Sequence, residues 1–194
     1  MNLNISRLTR FICFGTAAAL CLLAPGGFET ARAAEKGNRG QLSAKDYKFV
    51  TDAAQGGMLE VTLGQLAAQK ATDPAVRDFG QRMVQDHQKA DQQLMQLVSQ
   101  KGATLPTDTT GEHKGMVDHL KNLSGADFDK AYMSHMVTDH KKDVKEFQKE
   151  AQKAQDPEVK AFAAQTLPVL EQHLQLAQTV QATVTGERRQ SKAD

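Results

Sequence analysis

Six histidines, at positions 87, 113, 119, 135, 140 and 173, are the residues best able to do chemistry in this 194-residue chain. Three of them stand where an apolar residue is due on a helical stripe. His87 follows Val76, Phe79 and Met83 and precedes Ala90, Leu94 and Leu97. His140 lies between Met133, Val137 and Val144, Phe147, Ala151, Ala154, and His173 between Val159, Phe162, Thr166, Leu170 and Ala177, Val180. Glu60 adjoins a fourth stripe, beside Gly57, Val61 and Gly64. Each lies 13 to 17 residues from Asp73-Pro74 or Asp156-Pro157, the two points where long helices turn back. In helices of about 29 residues, all four therefore reach one level near the middle. Imidazoles and a carboxylate converging from four helices are a donor set for a transition metal, with copper, iron or zinc as candidates.

Two repeats sharpen this idea and one absence limits it. Met83-Val-Gln-Asp-His87 and Met136-Val-Thr-Asp-His140 put a thioether and an imidazole on one helix face, making Met83 and Met136 candidate soft ligands for an ion such as Cu(I). Asp86 and Asp139 lie about 100° round the helix and belong behind the ligands or at the surface. A di-iron carboxylate centre needs Glu-x-x-His pairs, but Val84, Val137 and Leu170 occupy the positions three before the stripe histidines. The competing reading is a structural polar layer of neutral histidines, hydrogen-bonded to Glu60 or Tyr132, with Met83 and Met136 as core fillers. No Gly-rich phosphate loop and no Ser/His/acid arrangement stands out. His113, Met116 and His119 share a short helix whose polar face reads as exposed, and the mixed Lys/Asp run 139–153 reads as a solvated face.

The elements that must position these groups are all helices. Ser43 and Asp46 open the first, and Asp73-Pro74 caps the second, which stops between Gly102 and Pro106. A short helix is predicted from Thr109 to Leu123, opened by Thr109 and Glu112. Ser124 and Asp127 start the third long helix and Asp156-Pro157 the fourth, with Pro168 predicted to kink it. Ala71-Thr-Asp-Pro-Ala-Val-Arg-Asp-Phe79 returns 83 residues later as Ala154-Gln-Asp-Pro-Glu-Val-Lys-Ala-Phe162. Two hairpins joined by a long crossover with a short extra helix, packed as an all-α four-helix bundle, follow from this duplication. Gly56, Gly57 and Gly64 would allow close approach of a neighbouring helix. Whether the second and third long helices run parallel stays open.

The ends of the chain are of another kind. Arg7 and Arg10, the apolar run Phe11 to Ala24 and Ala31-Arg32-Ala33 describe a secretory signal peptide over residues 1–33, cleaved after Ala33. Residues 34–42 are predicted flexible, 43–184 form the bundle, and 185–194 are a polar tail. Cleavage would leave 21 basic and 22 acidic side chains and no cysteine, since Cys13 and Cys21 lie in the leader. That balance, with 5% aromatic residues, argues against nucleic-acid binding. No later segment is apolar enough to span a membrane.

The run Phe49 to Ala68, Met83-Val-x-Asp-His87, Gly125-x-x-Phe128-Asp129-x-x-Tyr132, His140 and Leu167-Pro168-x-Leu170-x-x-His173-Leu174 together resemble the bacterial domain of unknown function 4142 family, over residues 43–182. The resemblance implies an exported bacterial protein with a ferritin-like bundle. It implies no catalytic residue, because the family has no established activity. The sequence thus points to an exported, periplasmic bundle of unknown biochemical activity, a binding or stress-protective module more than an enzyme. Its rivals are a metal or redox protein built on Glu60, His87, His140 and His173, and a module that docks a second copy or an envelope protein.

Overall fold

The computed structural model describes residues 38–107 and 111–186. These form five helices, α1 (Ala44–Lys70), α2 (Pro74–Gln100), α3 (Gly111–Lys121), α4 (Gly125–Lys153) and α5 (Pro157–Thr185). The leader and residues 187–194 of the tail lie outside the described residues, as does Thr109, the expected opening of the short helix.

Local chemistry sets the ends. The Ser43 hydroxyl accepts the Asp46 N–H at 3.0 Å, and Asp73 accepts from Ala75. Asp156 accepts from Glu158 and Val159. Each cap satisfies amides that the first helical turn leaves without partners. Ser124 caps α4 with no side-chain bond. Pro168 lies inside α5, which runs unbroken through it; Pro168 and Ala164 are both exposed, so water can take the carbonyl that the proline leaves unpaired.

α1 pairs with α2, α4 with α5, and the hairpins meet along α2–α5 and α1–α4, with α3 laid over α1 and α4. Two buried aspartates clasp the hairpins together. Asp46, in the first turn of α1, accepts the Gln155 and Asp156 amides at 3.1 and 3.0 Å. Asp129, in the first turn of α4, accepts the Thr72 and Asp73 amides at 3.1 and 2.9 Å. The two stand 83 residues apart, the offset of the repeat, so the duplication extends to its own fastening. The clasps also fix direction. The start of α1 meets the end of α4 and the start of α4 meets the end of α1, which makes α2 and α4 parallel across the crossover.

Within the segment 34–42, Asn38 to Leu42 lie against the end of α2: Gln41 donates to the Lys101 carbonyl and Thr104 to that of Asn38. Gly40 takes φ +52° there, and a Cβ would lie 2.2 Å from the Lys101 carbonyl oxygen. Of the three glycines in α1, a Cβ on Gly64 would meet the Gly80 carbonyl oxygen at 2.6 Å and one on Gly57 the Asp91 carboxylate at 2.2 Å, whereas Gly56 faces open space. Only Gly57 and Gly64 serve close packing.

The core divides at mid-height. Leu63, Phe79, Met83, Phe128, Tyr132, Met133 and Met136 belong to one apolar cluster. Val50, Leu94, Phe147, Val159, Phe162 and Leu170 belong to the other. The buried side of α1 is turned slightly from the predicted stripe, running through Ala54, Gly57, Glu60, Leu63 and Gly64, with Val61 only half-buried. Glu60 therefore sits on the core face itself.

Candidate metal centre

The structure brings Glu60, His87, His140 and His173 together between the two apolar clusters, one from each long helix. All four are buried, Glu60 and His140 completely. One ring nitrogen of each histidine lies within 4.8 Å of one from each of the others. Ring centroids are 5.3 to 5.9 Å apart.

Hydrogen-bond partners fix which nitrogens face inward. His173 Nε2 lies 2.7 Å from Asp86 Oδ2. That carboxylate also receives Arg82 and stays ionised: burial pushes its pKa up, but the His173 and Arg82 contacts outweigh this and hold it below its ordinary value. A carboxylate only accepts, so Nε2 carries the proton and Nδ1 the lone pair. His140 Nδ1 donates to the Met136 carbonyl at 2.9 Å, which leaves Nε2 facing inward. The two inner nitrogens, His140 Nε2 and His173 Nδ1, face each other at 3.3 Å.

Glu60 is the charged hinge of the site. Oε2 pairs with His87 Nε2, and Oε1 lies 3.4 Å from His140 Nδ1, whose proton is spent on Met136. Burial alone would raise the Glu60 pKa, but His87, then His140, hold it down at about 2. Burial likewise works against the His87 imidazolium, yet Glu60 lifts its pKa to about 9. His173 goes the other way: burial lowers it to about 4 despite the Asp86 bond, so the ring is neutral.

Further carboxylates gather around this layer. Asp139 and Asp143, one helical turn apart on α4, each bring an oxygen within 4.8 Å of one from Glu60 and from each other. Burial and then the Glu60 charge push Asp143 up to about 8. Asp91, admitted by Gly57, is raised to about 6 by burial, against the pull of His87. A cleft of about 370 Å³ reaches His87 and His173 from outside, with Asp86, Asp91, Asp139 and Asp143 on its walls. Glu60 and His140 lie behind that lining.

Several sequence expectations change here. Tyr132 is no partner for the histidines: its hydroxyl is buried with no hydrogen bond among the described residues. Met83 and Met136 pack in the apolar cluster and are not among the cleft residues; Met136 contributes its carbonyl. The run 139–153 is not wholly solvated, since Asp139 and Asp143 are half-buried on the cleft. His113 is half-buried and lines the same cleft, Met116 packs on the core, and His119 is exposed. The repeat held the missed signal, because Asp143 stands 83 residues after Glu60.

Fold and site together define an all-α bundle of two clasped hairpins with an ionisable layer across its middle. The chain belongs to the family described as domain of unknown function (DUF4142), whose profile matches residues 31–180. A solved DUF305 fragment from Deinococcus radiodurans shares the fold at 16% sequence identity, with a TM-score of 0.65 over 73% of this chain and 98% of that one. Comparison with curated proteins gives no match. Among the described residues no helix is long and apolar enough to cross a membrane.

Proposed function

We propose that this protein is an exported metal-binding module that holds a divalent transition ion at His87, His140, His173 and Glu60 in a ferritin-like bundle. The facing ring nitrogens of His140 and His173 carry the proposal. With His140 Nδ1 bonded to the Met136 carbonyl and His173 Nε2 to Asp86, the two inner nitrogens converge on a gap that a metal ion can fill. Metal–nitrogen bonds of about 2.0–2.1 Å put neighbouring tetrahedral ligands about 3.3–3.4 Å apart, and the observed separation is 3.3 Å. The bonds to Asp86 and to the Met136 carbonyl are of the kind that orient metal-bound histidines from behind.

Imidazole and carboxylate donors without thiolate suit zinc, copper(II) or iron(II). Binding requires His87 to give up its proton and turn from Glu60 toward the ion, leaving Glu60 for the fourth position. The secretory character of residues 1–33 supports a periplasmic setting, where a buried, cysteine-free site would sequester a metal.

Isothermal titration of residues 34–194 with Zn²⁺ tests the reading. The expected result is saturable binding that raises the melting temperature, with both effects lost in His140→Ala and His173→Ala. A wild-type protein that binds neither zinc, copper nor iron would leave a structural polar layer and shift the search to a second copy or an envelope protein as partner.

A further inference from the structure

A second group of donors adjoins the three imidazoles and shares one member with them. Glu60, Asp139 and Asp143 each place a carboxylate oxygen within 4.8 Å of the others. Glu60 is fully buried; its Oε2 pairs with His87, and its Oε1 has no hydrogen bond, since His140 Nδ1, 3.4 Å away, donates to Met136. A buried carboxylate oxygen without a donor is costly, and two more carboxyl groups lie within 4.8 Å of a Glu60 oxygen. A cation between them removes that cost.

We infer that Glu60, Asp139 and Asp143 form a second, oxygen-donor cation position beside the imidazole position, with Glu60 bridging the two. This rests on the metal-binding reading for the bridging role of Glu60, but the carboxylates themselves are independent of it. The two positions differ in origin. Glu60 and Asp143 are equivalent under the 83-residue repeat and approach from opposite hairpins, whereas the repeat equivalents of His140 and His173 are Gly57 and Ala90. The oxygen-donor position is thus built from matching places in the two halves, and the imidazoles add an asymmetric neighbour to it. Their chemistry differs too: three carboxylates select a hard divalent ion such as Mn²⁺, while imidazoles select a softer one. A bridging carboxylate holds two ions about 3.5–4 Å apart. Asp139 and Asp143 line the cleft, so the harder ion has a direct path from solvent.

The test uses residues 34–194 with Mn²⁺ followed by its electron paramagnetic resonance, before and after one equivalent of Cu²⁺. The inference expects Mn²⁺ to bind at one equivalent, with a loss of affinity of about 10–100-fold in Asp143→Asn and in Asp139→Asn. Both variants should retain wild-type helicity and Cu²⁺ stoichiometry. It also expects bound Mn²⁺ to broaden the Cu²⁺ signal, which an ion at the outer surface would not do. Cu²⁺ binding without saturable Mn²⁺ binding, or Mn²⁺ binding indifferent to both substitutions, would overturn the second position and leave the imidazole position standing. Mn²⁺ binding without Cu²⁺ would sustain the carboxylate position and sink the imidazole one. Binding of neither ion would sink both.

Discussion

Glu60 and His87 form a buried pair between two apolar clusters, and a double-mutant cycle measures what each costs without the other. Glu60→Leu leaves the His87 ring buried without the charge that lifts its pKa to about 9. His87→Leu leaves the Glu60 carboxylate, held at about 2 chiefly by that ring, facing Asp139 and Asp143. Removing one partner of a buried pair costs about 3–5 kcal/mol. Replacing both with packed apolar side chains is often neutral, so the double variant should lie within about 1 kcal/mol of wild type. Leucine fits this level of the bundle, since Leu170 is the repeat equivalent of His87. The assay is urea unfolding of chelator-treated protein at about pH 6, where both groups are charged in the folded state, with the slope checked for constancy across variants. Two single losses of about 3–5 kcal/mol against a double loss of about 1 kcal/mol or less give an expected coupling of about 5 kcal/mol or more. If the double variant loses the sum of the two single losses, the groups do not depend on each other and the reasoning fails.

Other predictions follow from the same geometry. Metal-free protein should lose stability as the pH rises from about 6.5 to 9: the His87 contribution is complete below its ordinary value of 6.5 and gone above about 9. Asp143, whose folded pKa is about 8, adds a loss of the same sign. Unfolding free energies at pH 6.5 and 9 should show the drop, and a flat profile would contradict the buried charges. His173 has the opposite sign, contributing above 6.5 and losing that contribution as the pH falls through about 4; removing it should flatten the acid limb of the same profile. Gly64→Ala, forced against the Gly80 carbonyl, should destabilise by about 1–3 kcal/mol, whereas Gly56→Ala should gain up to about 1 kcal/mol from helix propensity alone. Melting curves of the two variants should move in opposite directions. Asp46→Ala and Asp129→Ala each strand two amides, should cost about 2 kcal/mol or more apiece, and should add in the double variant because they fasten opposite ends of the bundle.

The sequence made the helices legible because aspartate-proline caps and three-four spacing are local signals. The duplicated 71–79 and 154–162 segments then gave the hairpins. Chain direction across the crossover was not legible, because it depends on Asp46 and Asp129 reaching amides more than fifty residues away. Asp46 looked like part of its own helix cap, and its larger role emerges only when the two hairpins meet. The four central residues were found because a polar group in a leucine position stands out against periodicity. Asp143 was missed for the converse reason: among lysines it looks solvated, yet it and Asp139 are half-buried on the cleft. The i, i+4 spacing places Met83 and Met136 on the face of their histidines, and the structure adds that both belong to the apolar cluster.

Elemental analysis of the untagged protein purified from its native cell tests the central claim most directly. The account predicts near-stoichiometric transition metal that is lost in His140→Ala while helicity remains. Protein that emerges metal-free and takes up no zinc, copper or iron, with a melting temperature indifferent to all three, would contradict it.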